Sequence, residues 1–426
     1  MHLSDLHLNQ FRIGSPYDLD ADLRDLVEQD VSRVLDAIGP ADGIFVTGDV
    51  ALSGHHGEYA KAALWLDRLT TAAGCAPERI WTVPGNHDVD WSILSAHPAI
   101  RARHDQVRQC DAASLTTQLR DGLLVDSPCV LSPLANYIAF AAGYECQITP
   151  DQPFWITTLP LANGRNLVLC GLTSPLISNE SDDTGANRLA LGTFQATIPR
   201  RPSDVVVTLC HHPPDWLRDC DEVEQFFDAR ARLQLFGHKH AHRIRRLDNA
   251  LRLHAGALHP DRDVAWMPRY NVISIDVIAG DRVRITVHPR VWRTDTTSFS
   301  ADHFADGEAS QDFDLELEPV TAEKGAPQQD ESSPTVAELV QPSDGERSDR
   351  ALANRLSKLP HLSQLLLGSR LGLVSQDDRT LRSFALTTRL IEQARALNRL
   401  SDLWRAAVSQ AESGAEEHDP YSQEAN

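Results

Sequence analysis

Long apolar runs, cysteine pairs and an excess of basic charge are all missing from this chain of 426 residues, and each absence narrows what it can be. No stretch of 18 or more apolar residues occurs, so no membrane span is expected. No basic leader followed by an apolar segment opens the sequence, which argues against an exported precursor. The seven cysteines, Cys75, Cys110, Cys129, Cys146, Cys170, Cys210 and Cys220, form no C-x-x-C pair and no dense framework. A reducing cytoplasm is the simplest setting for them. Lys and Arg number 40 against 60 Asp and Glu, a net charge of -20. A surface of that sign does not gather around nucleic-acid phosphates, so a polynucleotide partner is not favoured. With 42% apolar residues, what remains is an ordinary globular composition of about two domains.

Charge divides the chain. Residues 1–297 carry 28 basic and 37 acidic side chains, 298–346 carry 1 and 13, 347–405 carry 11 and 5, and 406–426 carry 0 and 5. The second stretch is rich in Asp, Glu, Ser, Pro and Gln and poor in large apolar residues, so burial cannot offset the entropy of ordering it. The sequence therefore reads as a domain over 1–297, an acidic flexible linker over 298–346, a small helical domain over 347–410 and an acidic tail over 411–426.

Within the first domain, Leu23, Leu26, Val27, Val31, Val34, Leu35 and Ile38 recur at three- and four-residue intervals, one face of a helix that Gly39 and Pro40 end. Short apolar runs at 43–47, 79–83, 166–171, 204–210 and 233–236, several separated by helical patterns such as 58–69, predict buried strands of an α/β sandwich. Segments at 271–278 and 282–287, joined by Gly280 and Asp281, predict an antiparallel ending to a sheet. Residues 91–165 interrupt the alternation with a polar, mainly helical segment, either a structural insertion or a cap over the active site. Beyond the linker, Ser375 with Asp378 suggests a capping box, Leu381, Phe384, Thr388 and Ile391 trace a helix face, and Leu400, Leu403, Trp404, Ala407 and Val408 trace another. Leu352, Leu356, Leu362, Leu365 and Leu366 complete a small all-α bundle.

Five short motifs each fall where a predicted strand ends: Asp5-Leu-His7, Gly48-Asp49, Gly85-Asn86-His87-Asp88, His211-His212 and Gly237-His238-Lys-His240. Ligands at the carboxyl ends of strands are what an α/β active site requires. Any one of these in a chain with 18 histidines is weak. Together they supply oxygen and imidazole donors suited to Mn, Fe or Zn, without the thiolates of a structural zinc site. Seven ligand-type side chains exceed what one ion with an open position needs and divide well between two, with Asp49, in the middle of the series, the natural bridge. Glycines 48, 85 and 237 let the ligand backbone turn close to such ions. His55, His56, His242, His254 and His259 lie near motifs without a place in the pattern and read as surface or packing histidines.

The motifs D-x-H, G-D, G-N-H-D, H-H-P and G-H-x-H, in this order over roughly residues 1–295, resemble the calcineurin-like metallophosphoesterase superfamily. The stretches "GDVALSGHHGEY" and "VPGNHDVD" are most similar to its cyclic nucleotide phosphodiesterase-like branch. The resemblance implies a four-layer α/β/β/α sandwich and a binuclear metal centre, with Asp5, His7 and His240 on one ion, Asn86, His211 and His238 on the other, and Asp49 on both. It implies hydrolysis of a small phosphoester, most simply a nucleotide-type or cyclic nucleotide phosphodiester, by metal-activated hydroxide. His87 would face the substrate as the catalytic histidine, Asp88 would orient it or serve the fold, and His212 would stand behind the ligands. Only Met1 to Ser4 precede Asp5, where the family has a full strand. Either the chain starts further upstream or its first strand is short. Residues 347–410, above all "RSFALTTRLIEQARALNRLSDLWRAAV", resemble the helical effector-associated domains of bacterial conflict and signalling systems. That likeness implies a protein partner, and with it the alternative of a metal-dependent nuclease effector recruited through this domain.

Overall fold

The computed structural model describes residues 1–15, 18, 20–125, 130–180, 182, 189–198, 201–259, 267–319, 352, 355–356, 359, 361–374 and 383–410. The chain divides into a unit over Met1–Ala322 and a second over Glu323–Asn426.

The first unit is an α/β sandwich of two mixed sheets. One runs β12 (Ser298–Ala301), β11 (Arg282–Arg293), β10 (Arg269–Ile278), β1 (His2–Leu3), β2 (Ile44–Thr47) and β3 (Ile80–Val83), with β13 (Gln311–Glu316) also pairing β11. The other runs β4 (Phe154–Pro160), β5 (Asn166–Leu172), β6 (Asp204–Cys210), β7 (Leu233–Phe236), β9 (Leu251–His254) and β8 (Arg243–Arg246). β1, β2 and β3 are parallel, as are β5, β6, β7 and β9. These strands read in sequence as near-continuous β-branched and aliphatic runs because both their faces are covered. β2 and β3 approach β5 and β6, so the core lies between the sheets. On the outside, α1 (Ala21–Ile38) and α2 (His56–Ala73) pack side by side. Phe227 of the helix Cys220–Arg230 is fully buried in the same core.

β1 has two residues, yet it sits mid-sheet, with His2 paired to Phe45 on one side and Asn271 on the other. Neighbours on both sides supply the order that its own length cannot.

Two sequence boundaries need correction. The predicted linker begins too early. Residues 298–301 and 311–316 are strands laid on β11, and Phe299, Phe313 and Leu315 are buried, although sparse apolar residues among acidic ones resemble disorder. The helical segment is also shorter than 91–165. Helices α3 (Trp91–Ala96), α4 (Pro98–Gln109), α5 (Leu115–Leu124) and Ala135–Ala141 occupy it, but 154–160 is β4, paired along its length with β5. Its half-exposed alternation hides it among polar neighbours.

The second unit has its own core, in which Leu352, Leu356, Leu367, Leu386, Leu390, Leu403 and Trp404 are buried among the helices His361–Arg370, Ser383–Ala396 and Leu400–Gln410. The Arg355 guanidinium lies 4.6 Å over the Trp404 ring. The Ser375–Asp378 capping box falls outside the described residues.

Candidate metal centre

The five motifs occupy the loops leaving β1, β2, β3, β6 and β7, at the carboxyl ends of parallel strands of both sheets. The β1 and β2 loops are laced together: Asp5 N–H donates to the Gly48 carbonyl at 3.1 Å, and Leu6 and His7 N–H both donate to the Asp49 carbonyl, at 2.8 and 2.9 Å. Asp5, His7, Asp49, His238 and His240 all have positive φ, between 45° and 67°. Such backbone is costly for residues with a Cβ, about 1–3 kcal/mol each, and persists where its surroundings enforce it. The glycines among the motifs answer to space. A Cβ at Gly85 would overlap the Asp49 carboxylate, and one at Gly237 would overlap Ser4 Oγ and lie 2.7 Å from the Thr47 carbonyl.

These loops converge. Donor atoms of Asp5, His7 and His240 lie within 4.8 Å of one another, as do those of Asp5, Asp49 and His211, of His7, Asp49 and His87, and of His211, His212 and His238. His240 Nε2 is 3.2 Å from Asp5 Oδ1, and His211 Nε2 is 3.2 Å from Asp49 Oδ2. His7 Nε2 is 3.3 Å from Asp49 Oδ2. Asn86 Oδ1 stands 3.2 Å from His238 Nδ1 and 3.2 Å from His212 Nε2. All seven residues predicted as ligands are therefore in one place, with His87 beside them.

The two adjacent histidines differ in their partners. His211 Nδ1 is 2.7 Å from the Thr47 carbonyl, which fixes the proton on Nδ1, while its Nε2 has no aligned hydrogen-bond partner. His212 is occupied at both ends, by Ser174 Oγ at 2.8 Å and by Asn86. Among the described residues the Asp88 carboxylate makes no hydrogen bond to the His87 ring. It accepts the backbone N–H groups of Gly85, Ala51 and Val50 and the Tyr59 hydroxyl, so it braces the β2 and β3 loops. His87 is oriented by the Leu52 carbonyl, 2.9 Å from Nδ1, and its N–H donates to Asp49 Oδ1 at 2.8 Å.

Charge is concentrated where water is excluded. Burial opposes ionisation of Asp49, but His211 and His7 outweigh it and hold the carboxyl well below its usual range. Burial likewise opposes charge on His211, yet Asp49 and Asp5 raise it to about 9. Burial and the neighbouring His211 lower His238 to about 3. Burial, then the Asp49 charge, lifts Asp88 to about 6.

The donor set fits divalent cations. Asp5 is fully buried and neither of its carboxylate oxygens accepts an aligned hydrogen bond, an arrangement that is expensive without a cation. Spacings near 3.2 Å suit donors that each sit about 2.1 Å from a shared ion. Among the other histidines, His242 is spent on Asn271 at 2.9 Å, and His55 is held 3.8 Å from Asp90. His259 lies closer than its lack of a motif suggests, its N–H donating to the Asp5 carbonyl at 3.1 Å. Ser174, Thr47, Leu52 and Tyr59 escape the sequence reading, since hydroxyls and carbonyls that orient a histidine carry no motif. Trp216, 4.4 Å from the His238 ring, and Trp91, 6.2 Å from His87, also went unread, although each follows its motif within a few residues.

Residues 1–242 match the family model of the calcineurin-like phosphoesterase. No curated protein matches the chain. Similar solved structures include a predicted phosphoesterase from Streptococcus pneumoniae, at 13% identity and TM-score 0.27, covering 74% of this chain and 95% of that one. Vacuolar protein sorting 29 from Cryptosporidium parvum matches at 12% identity and TM-score 0.32, covering 73% and 95%. A putative 5'-nucleotidase from Staphylococcus aureus matches at 12% identity and TM-score 0.32, covering 82% and 56%. With the family model spanning more than half of its length and the donor cluster set at the strand ends, this chain belongs to the calcineurin-like phosphoesterases, metal-dependent hydrolases of phosphoric esters.

Proposed function

We propose that the chain is a two-metal phosphodiesterase acting on a small nucleotide-type or cyclic nucleotide phosphodiester. The observation that carries this is the placement of Asp49, whose two oxygens face His87 N–H on one side and the His7 and His211 imidazoles on the other. Asp5, His7 and His240 would hold one ion, Asn86, His211 and His238 the other, and Asp49 both. When bound, such ions polarise phosphoryl oxygens and lower the pKa of water. The identity of the ions, Mn, Fe or Zn, is left open by a donor set that accepts all three. His212 keeps Asn86 turned inward. His87, anchored through Nδ1, directs Nε2 away from Leu52 and supplies a proton to the leaving oxygen when charged.

The test is hydrolysis of bis-p-nitrophenyl phosphate beside p-nitrophenyl phosphate by metal-stripped protein resupplied with manganese, zinc or iron. Diester preference that requires both the metal and Asp49 is expected. Undiminished turnover in a folded Asp49→Ala variant would falsify the reading.

The separate core of the second unit favours an additional role for it as an adaptor for a protein partner. Removal of residues 323–426 should then leave turnover intact and abolish capture of that partner. A plasmid-nicking assay with manganese separates the small-diester reading from a recruited nuclease. A cytoplasmic setting fits the free thiols of the six described cysteines, and no helix among the described residues is long and apolar enough to cross a membrane.

A further inference from the structure

Phosphoester hydrolysis needs donors and a proton source; it does not need indoles. Two stand against the cluster nevertheless. Trp216 lies edge-on to His238, ring centroids 4.4 Å apart at 66°, and Trp91 lies 6.2 Å from His87 at 31°. Both are only partly buried, whereas Asp5, Asp49, His211 and His212 beneath them are sealed off.

The backbone at Trp216 is held in place. This residue ends the turn Pro214–Trp216, its N–H donates to the Pro213 carbonyl at 2.9 Å, and Leu217 after it bridges to Leu189. The residue before it, Asp215, forms an ion pair with Lys239, which lies between His238 and His240. The turn that carries the indole is thus tied on one side to the loop bearing two of the proposed ligands and on the other to Leu189. Trp91 starts α3 behind Asp90, whose carboxylate caps Ser92 N–H at 3.0 Å and whose own N–H donates to the Pro133 carbonyl at 2.8 Å. Its indole Nε1 is buried without a hydrogen-bond partner.

We infer that Trp216 is a specificity-determining residue that receives a planar aromatic group, such as a nucleobase, attached to the phosphoester, with Trp91 forming a second wall. Half-buried indoles on an anchored backbone stack on a flat ring with little further loss of side-chain freedom, and the gain is about 1–3 kcal/mol per base, whichever base it is. The acidic balance of the chain argues for one small ligand over a polynucleotide tracked along its backbone. This inference rests on the phosphodiesterase reading, because it places the phosphate at the Asp5–Asp49–His238 cluster.

The test compares binding of adenosine 5'-monophosphate and ribose 5-phosphate to the manganese-loaded full chain, by calorimetry and by quenching of indole fluorescence. Wild-type protein should prefer the nucleotide by about tenfold or more. Trp216→Leu should lose that preference while its affinity for ribose 5-phosphate stays the same, and Trp216→Phe should keep part of it. Equal affinity for the two ligands in wild type, or an unaltered preference in a folded Trp216→Leu, overturns the inference. Turnover of bis-p-nitrophenyl phosphate, followed in parallel, separates the two readings: activity without nucleobase preference rejects only the aromatic site, and absence of metal-dependent turnover rejects the phosphodiesterase reading.

Discussion

His211 and His212, adjacent in the chain, hold their rings 4.7 Å apart at 86° and face different partners. His211 is tied through Nδ1 to Thr47 and points Nε2 at Asp49, whereas His212 is spent on Ser174 and Asn86. On the assignment proposed above, His211 is a ligand and His212 its support, and the two should fail differently. His211→Ala should abolish binding at one ion site. His212→Ala should weaken metal affinity and turnover by about 10–100-fold, the usual cost of losing an outer partner. Metal content and kcat/KM of both variants check this, and equal losses would reverse the assignment.

Gly85→Ala alters no donor. Its methyl would overlap the Asp49 carboxylate and come within 2.7 Å of the Asp49 backbone nitrogen, so that carboxylate must move. Because misplacement of about 1 Å can cost 10²-fold in rate, turnover should fall by at least that factor while the far-ultraviolet circular dichroism is retained. Activity within a few-fold of wild type would show that the loop yields without moving Asp49.

The elements legible in the sequence are those with one strong signal. β2, β3, β6 and β7 read as continuous apolar runs since both faces are covered, and α1 reads from its spacing. β4, β8 and β13 escape because partners elsewhere in the sheet supply the order. β8 is Arg-Ile-Arg-Arg, mostly exposed, and becomes a strand only by pairing β9. The site was legible as a list of residues because donors must be Asp, Asn or His. Its geometry was not: that Asp88 binds backbone amides, and that Leu52 orients His87, depends on loops distant in sequence.

Asp30 gives a prediction away from the site. Its carboxylate accepts the Tyr270 hydroxyl at 2.6 Å and Arg290 Nε and Nη2 at 2.8 and 2.7 Å, joining α1 to β10 and β11. Burial alone would raise its pKa, but Arg290 and Tyr270 outweigh burial and hold it below the ordinary value. A carboxyl whose pKa is lower folded than unfolded stabilises the fold above about pH 4, and that stability is lost as pH falls through the folded value. Asp30→Asn should cost about 3 kcal/mol at pH 7, because the partly buried Arg290 loses its counter-charge. The difference from wild type in urea unfolding should shrink toward pH 3; a gap that stays constant with pH would show that the charge does not matter.

Proton release on metal binding provides the most direct reading of the cluster. Without an ion, Asp49 and Asp5 keep His211 charged up to about pH 9, against the pull of burial. A nitrogen lone pair cannot hold a proton and a metal together, so an ion taken up at pH 7 must displace the proton facing Asp49. Binding of manganese should therefore release about one proton from His211 at pH 7, tighten as pH rises toward 9, and cease to depend on this group above that value. Calorimetry in two buffers of different ionisation enthalpy measures the number. His211→Ala should remove that proton along with one ion, while His212→Ala, whose imidazole is already held neutral by burial and by His238, should leave the count unchanged. Release that persists undiminished in His211→Ala would place the exchanging proton, and with it the ligand, on another residue of the cluster.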